Sequence, residues 1–150
     1  MVGELRNALK AKPCKALEGS LRIGIPRTPL FTYPDASVIC GEPKYDPNDS
    51  SLQTITNPTL VVEVLSPSTE GYDRGEKFTQ YRQIDSLQEY VLVSQEVARL
   101  EIFFRHPDGT WLFKVVSGLQ SHASFASLSV QLSLAEVYSG VAFATKPEAI

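Results

Sequence analysis

The alternation of apolar and polar positions divides this chain into short elements. Val2, Leu5, Ala8 and Leu9 fall at helical spacing, and Pro13, which lacks a backbone N–H, ends that helix. Leu21, Ile23 and Ile25 alternate with Arg22 and Gly24, which predicts a strand closed by Pro26. Asp35 to Cys40 and Leu60 to Leu65 read as two further strands, the second more hydrophobic. Between them Gly41 to Pro58 is rich in Pro, Asn, Asp and Ser. Structureless loops beyond about 12–15 residues are uncommon and often functional, so this one is a candidate for substrate contact or dimerisation.

Ser66-Pro67-Ser68-Thr69 stops the second strand and supplies capping hydroxyls. A helix is predicted from about Tyr72 to Ile84, with Phe78 and Tyr81 on its apolar side. Glu89 to Ser94 follows as a strand. Leu100, Ile102 and Phe104 alternate along another, Pro107-Asp108-Gly109 turns the chain, and Trp111, Phe113 and Val115 return it. Leu128, Val130, Leu132 and Leu134 form a last extended segment, closed by a short helix at Ala135 to Tyr138. The order is helix, strands, helix, strand and hairpin: an α/β chain built on a mixed sheet, of the α+β kind.

A length of 150 residues fits one domain, residues 1–150. No apolar run approaches the roughly 18 residues a membrane span needs. The stretch Met1 to Lys12 is charged and has no apolar signal-peptide centre, which points to a cytoplasmic chain without a membrane partner. Cys14 and Cys40 form no CxxC pair and no dense disulfide framework. Both read as free structural thiols, Cys40 within an apolar run. The formal net charge is −3. A protein that holds nucleic acid by bulk charge is normally basic, so a nucleic-acid role needs a local basic patch or is transient.

Glu63 is the first candidate for chemistry. In Val61-Val62-Glu63-Val64-Leu65 both strand faces are apolar apart from this carboxylate, whose burial is costly unless it is paired. It is either a strand-edge Glu neutralised by a neighbouring cation, or a metal ligand or acid–base group. Asp35, at the start of the preceding strand, is its natural partner. An antiparallel pairing around the long loop puts residues 35 and 65 roughly opposite, with Asp35 and Glu63 as diagonal neighbours on one face, about 7–8 Å apart. Converging carboxylates repel unless a divalent cation sits between them. Lys77 is the third group. Asp73, four residues earlier, offers it an ordinary helical ion pair. Yet Lys77 also lies at the margin of the buried side, with Gln80 on its face, within reach of the end of the preceding strand. His106 belongs to a turn and His122 to a Ser-rich loop. No nucleophile elbow, phosphate-binding glycine loop or structural zinc spacing occurs, which leaves divalent-metal hydrolysis.

Tyr33-Pro34-Asp35, Val61 to Thr69, Tyr72-Asp73-Arg74-Gly75-Glu76-Lys77 and Glu89-Tyr90-Val91-Leu92-Val93 resemble the Uma-type family of restriction-endonuclease-like proteins. The resemblance runs from about Val2 to Val141. That family belongs to the PD-(D/E)XK nuclease superfamily. The resemblance implies a restriction-endonuclease-like αβββαβ core with an added C-terminal β-hairpin. It also implies Mg²⁺, with Mn²⁺ as substitute, held by Asp35, Glu63 and the Val64 carbonyl. The superfamily places a Lys two residues after the acid; here that position is Leu65. The resemblance implies that the cation has moved to the following helix, where Lys77 matches it, with Gln80 and Tyr81 as supporting or substrate contacts.

The implied activity is hydrolysis of DNA phosphodiesters, with Asp35, Glu63 and Lys77 as catalytic residues and DNA as a transient partner. Family members usually carry a further N-terminal segment before the first helix, and this chain is expected to lack it. The sheet edge so uncovered is expected to pair with a second copy as a homodimer. The alternative is a catalytically silent nuclease-fold module for binding or assembly, favoured by the acidic balance. Cleavage of RNA or of a small phosphate ester is not separable from the DNA reading by sequence.

Overall fold

The computed structural model describes residues 1–19 and 21–143. In chain order the elements are α1 (Val2–Ala8), β1 (Cys14–Glu18), β2 (Arg22–Gly24), β3 (Phe31–Thr32), β4 (Ala36–Cys40), β5 (Thr54–Ile55), β6 (Leu60–Val64), α2 (Glu70–Arg74), α3 (Glu76–Tyr81), β7 (Glu89–Val93), β8 (Arg99–Arg105), β9 (Trp111–Ser117), β10 (His122–Phe125), β11 (Val130–Ser133) and α4 (Leu134–Val137).

Six of the strands form one sheet in the order β1-β4-β6-β7-β8-β9. All its neighbours are antiparallel except β6 and β7, which run parallel because α2 and α3 carry the chain back between them. The central strands β6 and β7 are apolar on both faces, as strands covered on both sides must be. One face packs Val62, Val91, Leu100 and Ile102 against Leu5 of α1, Leu134 at the start of α4 and the β10–β11 hairpin. The other packs Val61, Tyr90 and Leu92 against Phe78 and Tyr81 of α3 and against Ile23 and Ile55 of the small β3-β2-β5 sheet. The result is the mixed α+β architecture expected from the order of elements.

The hairpin expected around Pro107-Asp108-Gly109 is β8–β9, with Phe103 opposite Phe113. Asp108 Oδ1 accepts hydrogen bonds from the backbone N–H of Thr110 at 2.9 Å and from its hydroxyl at 2.6 Å, and Gly109 takes φ +89°. A second hairpin, β10–β11, follows it; the segment expected at Leu128 to Leu134 is a strand only over Val130–Ser133, and Leu134 already belongs to α4.

Several expectations need correction. The segment Cys14–Glu18 is a strand, β1, at the sheet edge, where the exposed Lys15 and Glu18 leave little apolar signal. Cys14 stands directly opposite Cys40 in the β1–β4 ladder, and the two form a disulfide rather than remaining free thiols. Overlooking β1 concealed this pairing. The helix expected over Tyr72 to Ile84 is two short helices that meet at Gly75 and end at Tyr81. Gly75 adopts φ −104° and ψ −92°, and a Cβ there would lie 3.3 Å from the Gly71 carbonyl oxygen. The loop Gly41 to Pro58 is not structureless, since it contributes β5, which pairs in parallel with β2, and Tyr45 bridges to Ile55.

Candidate active site

β4 and β6 pair antiparallel with Ala36 opposite Val62. Continuing that register by one residue puts Asp35 directly opposite Glu63, not on the diagonal, so both side chains leave the same face of the sheet. The expected register was off by two residues, because the long loop hides how much chain the turn consumes. Asp35 is exposed at the mouth of this position, and its Oδ2 accepts a 2.7 Å hydrogen bond from the Val64 N–H. In an antiparallel pattern a residue's N–H and C=O face the same neighbour. The Val64 carbonyl therefore also faces the Asp35 side.

Glu63 is only 3% exposed. Two donors compensate its carboxylate, both at Oε1: Lys77 Nζ at 2.8 Å and the Tyr81 hydroxyl at 2.9 Å. Lys77 and Tyr81 are four residues apart, one turn of α3, so both reach the same point. The bend at Gly75 sets the direction of α3 and so of this pair. Tyr81 also shares a 2.7 Å hydrogen bond with the Thr32 hydroxyl on β3, which fixes the phenol against the small sheet. Burial pushes the Glu63 pKa up to about 7, with a smaller rise from the Asp35 charge and opposition from Lys77 and Tyr81. Burial, reinforced by the Glu63 charge, pushes the Tyr81 phenol well above its ordinary value, so it stays a donor.

Asp73 lies under Lys77. It is 3% exposed, its Oδ1 is 3.7 Å from Lys77 Nζ, and its backbone carbonyl accepts the Tyr90 hydroxyl at 2.7 Å. Lys77 thus makes both of the contacts weighed from sequence, the helical one to Asp73 and the cross-element one to Glu63. Further along the same row, Glu63 pairs with Leu92 and Leu92 with Glu101, so Glu101 emerges on the same face of the sheet. Arg74 joins Glu101 to Glu70, 2.8 Å away, and keeps that carboxylate paired.

The structure therefore brings Asp35, Glu63, Val64, Lys77 and Tyr81 together. Tyr81 is wholly buried, so it supports Glu63 and does not touch substrate. Gln80 is half-buried and makes no side-chain hydrogen bond among the described residues; it is not drawn into the cluster. His106 sits in the β8–β9 turn beside Asp108 and His122 is exposed on β10, both away from the site. Sequence reasoning missed Thr32 and Glu101. Glu101 carried a readable signal, a charge alternating with Leu100 and Ile102 on a strand, whereas Thr32 had none because β3 is two residues long.

As a donor set for a hard cation the cluster offers the Asp35 carboxylate, the Glu63 carboxylate with its Oε2 outside the contacts to Lys77 and Tyr81, and the Val64 carbonyl. Among the described residues no group of three or more His, Cys, Asp or Glu side chains converges as a metal cage. Mg²⁺ does not need one, since it keeps several waters and is commonly held by one or two carboxylates plus substrate phosphates. The residues present fit that mode.

The same arrangement of sheet and helices recurs in a solved structure. A crystal structure from Anabaena variabilis, described as a "putative nuclease belonging to DUF820", superposes with a TM-score of 0.69 at 16% identity, covering 92% of this chain and 75% of that one. The fold is thus shared with that protein. The family model Uma2, "Putative restriction endonuclease", matches residues 1–137, and the chain belongs to that family. Two relatives from Synechocystis sp. are similar: uncharacterized protein slr1290, 41% identical over 91% of this chain and 70% of its own length, and uncharacterized protein sll1609, 37% identical over 73% and 61%. The match therefore spans less than two thirds of the second relative.

Proposed function

We propose that this protein is a Mg²⁺-dependent endonuclease that hydrolyses DNA phosphodiesters. The observation that carries the reading is the opposition of Asp35 and Glu63 across β4 and β6, with Lys77 brought to Glu63 from the next helix. Membership of a family described as restriction endonucleases supports a nuclease reading of that cluster. Asp35, Glu63 and the Val64 carbonyl would hold the ion. When bound, Mg²⁺ supplies Lewis-acid polarisation of a phosphate oxygen and lowers the pKa of a water. Lys77 places its Nζ beside Glu63, where it stabilises negative charge that develops at the phosphorus or orients the attacking water. It fills the part that a Lys at position 65 would play, because residues 63 and 65 share a strand face and Lys77 reaches that face from above. Tyr81 holds Glu63 in place through Thr32. A second copy of this chain is the proposed protein partner, and a monomeric mass at high concentration overturns that.

A second reading, a silent binding module, is favoured by one observation: Lys77 already neutralises the carboxylate that a metal would use. Calorimetric titration of Mg²⁺ or Mn²⁺ into wild type and Glu63→Gln, beside cleavage of supercoiled plasmid, separates the two. Binding and cleavage that both vanish in the variant support the nuclease. Absence of metal binding in wild type, with plasmid DNA present, supports the module.

A further inference from the structure

The proposed active site is dominated by acids: Glu63 and Asp73 flank the single Lys77, and Asp35 stands opposite Glu63, in a chain of net charge −3. A polyanion is not drawn to such a site by charge alone, so its affinity must come from another surface. That surface lies at β1, the first strand in the sheet order. A groove of about 590 Å³ between α1 and β1 is lined by Arg6, Lys10, Lys12 and Lys15 against one carboxylate, Glu42. Arg6 reaches Glu18 at 3.5 Å, but Lys10, Lys12 and Lys15 form no ion pair among the described residues. Four of the chain's 14 Lys and Arg side chains are thus concentrated within ten residues of sequence, three of them uncommitted.

Position along the sheet relates the groove to the site. Lys15 stands opposite Ile39 on β4, and Asp35 lies four residues before Ile39. At about 3.4 Å per residue the two positions are separated by roughly 14 Å along the strands. An even number of residues between them puts Lys15 and Asp35 on one face of the sheet, while α1 packs on the other, so the groove wraps the β1 edge and reaches the site's face through Lys15. That separation equals the axial rise of about four base pairs of B-DNA, so with a phosphate at Asp35 and Glu63 the flanking duplex is within the span of Lys15.

We propose that the α1–β1 groove is a docking site for the phosphate backbone of duplex DNA flanking the bond held at Asp35 and Glu63. It rests on the nuclease reading for its ligand but not for its chemistry. The groove supplies charge without reading bases, so it acts on affinity uniformly across sequences. Arg6 sits on α1 and Lys15 on β1, with Lys10 and Lys12 in the turn between them, and the Cys14–Cys40 bridge ties the start of β1 to β4 at the end of that turn.

The test is fluorescence anisotropy of a labelled 20-base-pair duplex against the full chain over a series of salt concentrations, with wild type and the triple variant Lys10→Ala, Lys12→Ala, Lys15→Ala. Circular dichroism and a melting curve confirm that the variant folds. The expected result is a loss of affinity of at least tenfold at low salt, and a log–log salt slope shallower by about 2 to 3, given about 0.9 per neutralised phosphate. Affinity and slope equal to wild type in the folded variant overturn the groove and leave the nuclease reading standing. A wild type that binds through these lysines but never cleaves supports the groove and overturns the nuclease reading. No binding by wild type at low salt with Mg²⁺ present overturns the groove outright, as does equal affinity for an uncharged-backbone analogue.

Discussion

Glu63 needs to be a carboxylate to hold a cation, yet its surroundings favour the acid. With a pKa near 7, about a tenth of the population is ionised at pH 6 and about nine-tenths at pH 8. Mg²⁺ affinity is therefore expected to rise about tenfold between those pH values, as read by calorimetry. Lys77 contributes to both steps. Replacing it by Ala removes the 2.8 Å ion pair and leaves a buried carboxylate without its main compensating charge, which drives the Glu63 pKa further up. Lys77→Ala is then expected to weaken metal binding at pH 7, to recover it above pH 9, and to remain slow in cleavage at both. Recovery of both metal binding and rate at high pH would reduce Lys77 to an electrostatic partner of Glu63. Tyr81→Phe leaves Lys77 in place and is expected to shift the pH midpoint of metal binding upward by less, without the residual loss of rate.

The candidate cluster was largely legible because three of its members are anomalies of pattern. Glu63 interrupts an apolar strand, Asp35 opens one, and Lys77 sits at the margin of a buried helix face. The elements around them were less so. β1 is short and at an edge, with Lys15 and Glu18 exposed, so its period-two signal rests on Cys14 and Ala16 alone. Gly75 gives no periodicity break, and the two helices beside it share one apolar stripe, which reads as a single helix. The register of β4 against β6 depends on a loop whose course no local rule determines, and the disulfide depends on the strand that was overlooked.

That bridge closes a segment of sequence separation 26 and ties the edge strand to the body of the sheet. Loop-closure entropy puts its stabilisation at about 3.5 kcal/mol. Cys40→Ser, or full reduction, is expected to lower the melting temperature by roughly 10 °C. Non-reducing mass spectrometry of the folded protein should show two hydrogens fewer than the reduced chain. Among the described residues no helix is long and apolar enough to cross a membrane.

For the molecule as a whole, two buried acids govern how stability changes with pH. Glu63 and Glu89 both have pKa values raised by burial, Glu89 despite hydrogen bonds from the Ser127 N–H and hydroxyl. Between about pH 4.5 and 7 the folded chain keeps the Glu63 proton while the unfolded chain has released it. The unfolded state then binds fewer protons, and stability must fall as pH rises through that window. For Glu63 alone the loss is about 3 kcal/mol, since each tenfold difference in proton affinity between the two states is worth about 1.36 kcal/mol. The acids whose pKa values are lowered, Glu4, Asp49 and Asp108, act below their ordinary values, outside this window. In chelator the melting temperature is therefore expected to be higher at pH 5 than at pH 8. Glu63→Gln, which resembles the protonated acid, should match wild type at pH 5 and exceed it at pH 8. A wild-type melting temperature flat from pH 5 to 8 would mean that Glu63 is solvated in the free protein. The same buried carboxylate that would bind a cation thus makes the metal-free fold less stable at neutral pH, and bound Mg²⁺ should recover that loss by mass action on the folded state.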